Sequence, residues 1–239
     1  MIYVVGLGPG CKEQMTPRAA EALAESDVII GYKKYIELIA SDYRHKELIS
    51  SPMRSEAKRC REALKRALNG ETVALVSGGD PGIYGMAGLM IETAGEKTAV
   101  EIVAGVTAAS GAGAVLGAPL THDFAAVSLS DLLTPWELIE KRLEAASMAD
   151  FVICVYNPGS AGRAEHFARA CDVVMRHRNA KTPSGWVRNA GRDGQGSAIM
   201  PLSELRDKKL DMFTTAFIGN SSTRVIAGKL VTPRGYADI

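Results

Sequence analysis

The chain has 239 residues, 46% hydrophobic and 23% charged, and its 28 Lys and Arg against 27 Asp and Glu leave a formal net charge of +1. Such values belong to an ordinary globular protein, one large domain or two smaller ones, with ample apolar material for a core. They exclude a global field that would recruit nucleic acid or a membrane surface, so an anionic ligand has to be met by local groups.

In chain order, residues 2–5 are a short apolar run entering Gly6-Leu7-Gly8-Pro9-Gly10, and Thr16 before Pro17 marks a helix start. The dinucleotide fingerprint is nearly matched here. Its third glycine, however, is replaced by Cys11, Pro9 stands in the turn, and the acid about twenty positions on, Asp27, precedes the next apolar run at 28–30. Cys11-Lys12 lacks the Gly-Lys-Ser/Thr order of a P-loop, so both nucleotide motifs are discounted. Helices are predicted over 32–40 and 55–69, the second ended by Gly70.

The most informative stretch follows. A β-branched run over 72–76 breaks into Ser77-Gly78-Gly79-Asp80-Pro81-Gly82-Ile83-Tyr84-Gly85 before helix-forming residues resume, which reads as strand, bare loop, helix. Gly78, Gly79 and Gly82 omit three β-carbons in five positions, opening backbone groups to a ligand, and Asp80 adds one fixed negative charge. In a parallel sheet such a loop stands at the carboxyl ends of the strands, where open α/β folds bind ligands; an ordinary β–α connection is the plainer alternative. Residues 100–103 form a further strand ending in the small residues 104–111. These either allow close helix–sheet packing or present the Thr107 hydroxyl and the Ala108 backbone to a ligand.

Residues 117–121 read as a linker between a domain over 1–118 and a second over 122–239. The second is read as strand 125–129, helix 135–146, strand 151–156, helix 163–177, strand 185–187, a short helix 202–206, and strands 213–218 and 225–231. The fold class expected is α/β, two α/β domains, the first with a largely parallel sheet and the second with a mixed one.

Cys11, Cys60, Cys154 and Cys171 are far apart and form no close pair of the zinc or iron–sulfur kind, so no metal site is expected and a reducing cytoplasm fits. No signal-peptide pattern and no bilayer-length apolar run is found, and the Asn220-Ser221-Ser222 sequon reads as coincidental.

Gly-Gly-Asp-Pro at 78–81 followed by Tyr84-Gly85, together with Gly6-Leu7-Gly8-Pro9-Gly10, resembles the tetrapyrrole methyltransferase family that uses S-adenosylmethionine. Thr121-His122-Asp123-Phe124, the stretch from Ser128 to Trp136 containing Leu132-Leu133-Thr134-Pro135, Tyr156-Asn157-Pro158 and Thr232-Pro233-Arg234-Gly235-Tyr236 are similar to one branch, that of cobalamin biosynthesis. The resemblance covers nearly the whole chain. It implies methylation of carbon 17 of a precorrin-3B-type macrocycle with coupled ring contraction, release of S-adenosylhomocysteine, a homodimer, and cofactor and substrate in a cleft between the domains. By resemblance the cofactor contacts are Pro9, Gly78, Gly79, Asp80, Ile83, Thr107, Ala108, Asn157 and Ala190; Asn157 departs from the methionine of the sirohaem branch.

A macrocycle fringed with carboxylates needs separated cationic or N–H donors, for which Lys33, Arg54, Arg163, Arg188 and Arg192 are candidates, each with a solvated surface charge as the alternative. Arg192 stands out because its loop is otherwise small. Ser130 and Thr134, with Ser128 and Asp131, add donors and acceptors, and Trp136 either stacks on the macrocycle or is buried. For the proton movements of ring contraction, His122 beside Asp123 is the best placed of four histidines, a hydrogen-bonded junction residue being the alternative; His45, His166 and His177 read as structural or solvated. The acid–base residue types of the sirohaem branch have no equivalent in Gly31-Tyr32-Lys33-Lys34 or Ser51-Pro52-Met53-Arg54. Other readings are a different precorrin carbon, a protein acceptor as in diphthamide synthesis, or a non-catalytic tetrapyrrole- or nucleotide-binding protein.

Overall fold

The structure, a computed structural model, describes residues 1–160, 162, 163 and 165–236; Ala164, in the predicted helix 163–177, and the last three residues of the predicted second domain lie outside the described residues. The chain divides into two compact units, Met1–Ala108 and Ala109–Ile239.

The first unit runs β1 (Ile2–Gly6), α1 (Pro17–Glu25), β2 (Val28–Tyr32), α2 (Lys33–Ile39), β3 (Glu47–Ser51), α3 (Glu56–Leu68), β4 (Val73–Ser77), α4 (Ala87–Ala94) and β5 (Val100–Val103). Its five strands are all parallel, in the order β3-β2-β4-β1-β5. The central strands are buried on both faces, which is why they read as unbroken apolar runs. Alternation then splits them: Ile2, Val4, Val73 and Leu75 face α3 and α4, whereas Tyr3, Val5, Ala74 and Val76 face α1 and α2. Thr16 caps α1 by accepting the Ala19 N–H at 3.2 Å, with Pro17 at the first helical position. The edge strand β3 has no sequence signal, because at an edge it is half exposed and carries only Leu48 and Ile49 as large apolar residues.

The second unit runs α5 (Ala108–Leu116), β6 (Gly117–Ala118), β7 (Phe124–Ser128), α6 (Trp136–Met148), β8 (Val152–Tyr156), α7 (His166–Met175), β9 (Pro183–Arg188), β10 (Gly196–Pro201), α8 (Leu202–Arg206), β11 (Thr214–Ile218), β12 (Arg224–Ile226) and β13 (Lys229–Val231). The order β10-β9-β11-β8-β7 makes a mixed sheet, antiparallel except for the β7–β8 pair. A three-stranded sheet β12-β13-β6 stands beside it. The apolar segment read as one strand over 225–231 is a hairpin: Ala227 and Gly228 turn the chain with φ of 48° and 73°. α5 belongs to this unit, ahead of the 117–121 segment, because the Ala109 N–H bonds the Tyr156 hydroxyl at 2.9 Å and Leu116 packs over Gly185. Trp136, Ile139, Leu143, Ile153, Phe167 and Leu202 form the core between α6, α7, α8 and the sheet.

Candidate active site

In the first unit, β1 leads across β4 to β2, and β4 leads across β1 to β5. The connections leave these two neighbouring strands in opposite directions, so the chain order switches between them, and the crevice beyond their carboxyl ends is where an open parallel sheet receives a ligand. The two predicted glycine loops meet there. Gly8 and Gly79 exchange backbone hydrogen bonds at 3.1 and 2.9 Å, and the Leu7 N–H donates to the Ser77 carbonyl at 2.9 Å.

The glycines act in a way their sequence does not disclose. A β-carbon on Gly6 would lie 2.7 Å from both Gly105 N and Gly79 O, and one on Gly105 would lie 2.8 Å from the Gly6 carbonyl. Gly6 and Gly105 therefore let the ends of β1 and β5 lie backbone to backbone against each other and against the Gly79 carbonyl that follows β4. Gly78 is filled from behind by the Tyr35 ring, 2.7 Å from where its β-carbon would stand, and Tyr35 meets Tyr32 edge to face at 5.4 Å. Gly79 keeps open space towards Thr107 and Ala108, 3.7 Å away, and its φ of 68° favours glycine.

Asp80 is committed to this architecture. One carboxylate oxygen accepts the Gly82 N–H at 2.8 Å and the other the Gly105 N–H at 3.0 Å. Ile83 is 41% exposed beside it, Tyr84 is exposed with φ of 53°, and Pro9 is buried in the facing loop. Thr107 and Ala108 are half-buried at the end of the β5 loop. The structure thus brings Pro9, Gly78, Gly79, Asp80, Ile83, Thr107 and Ala108 to one end of one sheet. The three loops, 6–11, 77–88 and 104–110, contain one carboxylate and neither Lys nor Arg; Lys12, the next residue, pairs with Asp42 at 3.0 Å. Arg54 follows β3, exposed, with φ of 62°. Lys33 opens α2, exposed to solvent.

In the second unit β7, β8 and β9 run in the same direction, so their carboxyl ends share one edge. β8 and β9 each finish on an asparagine in the left-handed conformation, Asn157 and Asn189, both with φ of 51°. The Asn157 side-chain N–H donates to Ser128 Oγ at 2.9 Å, and the same hydroxyl accepts the Ser130 N–H at 3.3 Å. Asn157 and Ser130 therefore belong to one edge, Thr134 lies further along the loop between β7 and α6, and Ala190 and Arg192 follow β9 in a turn closed by Arg192 N–H to Asn189 O at 2.9 Å. Arg188 pairs with Asp211 at 2.7 Å. His122 and Asp123 are exposed at the amino end of β7, roughly 16 Å of strand away from Ser128. There His122 Nδ1 accepts the Asp123 N–H at 2.8 Å.

One grouping has no local sequence signal. His166, read as a solvated or structural helix residue, has a side chain only 16% exposed, and its Nε2 lies 3.2 Å from Asp131 Oδ2. Its ring meets Trp136 edge to face at 4.7 Å, and the Arg169 guanidinium covers the same indole at 4.4 Å. Arg163 Nε stands 3.7 Å from Asp131 and donates to Ser160 Oγ at 3.0 Å, while Nη1 donates to the Leu129 carbonyl at 2.8 Å. Residues 30 to 35 positions apart make this cluster, beyond any helix or strand period. Among the described residues no group of three His, Cys, Asp or Glu could hold a metal ion, and no helix is long and apolar enough to cross a membrane.

Residues 1–206 match the family model described as tetrapyrrole (corrin/porphyrin) methylases. The chain belongs to the tetrapyrrole methylases. Among curated relatives, this methylase is 45% identical over 239 residues to the "Probable cobalt-factor III C(17)-methyltransferase" of Salmonella typhimurium, covering 99% of each chain. It is 44% identical over 242 residues to the "Cobalt-factor III methyltransferase" of Priestia megaterium, a match that takes in 98% of this chain but only 45% of the relative. Among solved structures, that of the methyltransferase CobJ superposes with a TM-score of 0.90 at 35% identity, covering 97% of this methylase and 99% of that chain.

Proposed function

We propose that this methylase transfers a methyl group from S-adenosylmethionine to carbon 17 of a precorrin-3B-type macrocycle, in its cobalt-bearing form, with coupled ring contraction in cobalamin biosynthesis. The observation that carries the reading is the match along the whole length of the Salmonella relative.

The first unit's crevice fits the donor chemically. Backbone amides and carbonyls, one carboxylate and an exposed isoleucine, with no cation in the three loops, suit a zwitterion carrying a sulfonium and a neutral nucleoside better than a polyphosphate. When bound, S-adenosylmethionine supplies an electrophilic methyl group on a positively charged sulfur. Gly79, Thr107 and Ala108 would hold it through backbone groups, Ile83 would cover its apolar surface, and Pro9 would wall the crevice from the β1 side. Asp80 acts by fixing the loops, since both its oxygens already accept backbone N–H groups. The chain's contribution is then orientation and exclusion of water, with no protein nucleophile required.

For the acceptor, Ser130, Thr134, Arg54 and Arg192 are proposed to meet the ring carboxylates. His122 and Asp123 receive no proton-transfer role in this reading, because β7 separates them from Ser128 and Asn157.

Purified protein incubated with S-adenosylmethionine and cobalt-factor III, and separately with metal-free precorrin-3B, tests the reading by mass spectrometry. One methyl gained on the cobalt macrocycle is expected; transfer to the metal-free ring alone would reverse the cobalt assignment. No gain on either, with S-adenosylhomocysteine bound, would move the acceptor to another precorrin carbon or a protein.

A further inference from the structure

Leu133 is 98% exposed and Leu132 59%, yet both sit in a loop whose two ends are anchored. Leu129 is fully buried, with its N–H donating to the Tyr156 carbonyl at 3.0 Å, and Trp136 is buried in the core where α6 begins. Between them Asp131 is held by His166 at 3.2 Å and lies 3.7 Å from Arg163, which also binds the Leu129 carbonyl. The loop rises directly from the edge that carries Ser128 and Asn157, and the hydroxyls of Ser130 and Thr134 flank the leucines.

Exposing two large apolar side chains on a clamped loop gains the fold nothing, since neither leucine buries enough surface to offset its ordering. The arrangement is that of a preorganised contact for an apolar surface, bordered by groups that meet carboxylates. We infer that Leu132 and Leu133 form an apolar prong that lies against the face of the tetrapyrrole acceptor, and that Asp131, through His166 and Arg163, is the positioning residue that holds it. This inference rests on the methyltransferase reading above. A flat macrocycle is the occupant that combination fits: an apolar face for the leucines and a carboxylated rim for Ser130 and Thr134.

Because Leu133 touches almost nothing in the protein, Leu133→Ser should leave the thermal midpoint and the calorimetric affinity for S-adenosylhomocysteine unchanged. Its affinity for cobalt-factor III, read by quenching of tryptophan fluorescence, should fall roughly tenfold or more. Asp131→Asn, which keeps the shape and removes the charge, should raise the macrocycle KM with kcat retained. Wild-type affinity for the macrocycle in Leu133→Ser would overturn the inference. So would sedimentation showing that Leu133→Ser turns a dimer into monomers, which would make the leucines a contact between copies. Failure of the wild-type protein itself to bind any precorrin would instead overturn the reading beneath it.

Discussion

Asp80 and Gly105 join the ends of two strands that are not neighbours: the Asp80 carboxylate follows β4, the Gly105 N–H follows β5, they meet at 3.0 Å, and β1 lies between. Asp80→Ala leaves the Gly82 and Gly105 N–H groups without this acceptor and should cost about 1–3 kcal/mol in urea unfolding. The loop proposed to hold the donor loses its tie in the same step, so the Kd for S-adenosylhomocysteine should rise at least about tenfold. An unchanged Kd alongside the lost stability would show that the tie serves the fold alone.

Gly105 and Gly88 should respond oppositely to alanine. At Gly105 the added carbon would press on the Gly6 and Gly79 backbones, which cannot swing aside, so Gly105→Ala should lose at least about 2 kcal/mol and most donor binding. At Gly88, inside α4, nothing lies within 4 Å of the added carbon, so Gly88→Ala should gain up to about 1 kcal/mol through helix propensity. Denaturation midpoints of the two variants, measured together, check both.

Arg59 is 4% exposed and holds the turn that displays Arg54. Its Nη1 donates to Ser51 Oγ and the Pro52 carbonyl, both at 2.9 Å, and Nη2 donates to Glu56 at 2.9 Å. Arg59→Met should cost about 1–3 kcal/mol and raise the macrocycle KM. Arg54→Gly relieves a φ of 62° and should stabilise by up to about 1 kcal/mol while raising the same KM. Unchanged KM in both variants would remove Arg54 from the substrate site.

The buried thiols make stability fall at alkaline pH. Burial pushes the Cys60 thiol up to about 11 and the Cys171 thiol up to about 12, from an ordinary value of 9.0, and raises Cys154 in the same direction. In the unfolded chain these groups ionise near 9, whereas in the folded chain they stay protonated. The stability they contribute is therefore intact below pH 9 and is lost as pH rises from 9 towards the folded values. Urea midpoints should decline across pH 9–11, and a thiol reagent at pH 8 should modify half-exposed Cys11 while sparing the other three.

The fold and the glycine-rich loop after β4 were legible in the sequence wherever local physics decides them. The runs that became β1, β2, β4 and β8 are apolar throughout because both faces are covered, and the loop at 77–88 shows its glycines openly. β3 and β10, strands at sheet edges and largely half-exposed, were missed, because an edge strand needs no apolar run. The hairpin at 224–231 was read as one strand, because Ala227 is not a turn residue and only its φ of 48° discloses the reversal.

By itself the sequence determined an alternating α/β chain, a glycine-rich loop after the run at 72–76 and membership of the tetrapyrrole methylases, since periodicity, turn residues and motif order are properties of neighbouring positions. Tertiary structure alone decided what surrounds the glycines and the histidines. Gly6 and Gly105 are required because three strand ends converge, Gly79 because its φ of 68° favours glycine, and Gly78 because Tyr35 fills the space behind it. His166 gains a carboxylate partner from a loop 35 positions away, whereas His122 is left at the far end of β7. Those roles depend on strand order and direction, which place distant segments side by side and which no local pattern of side chains encodes.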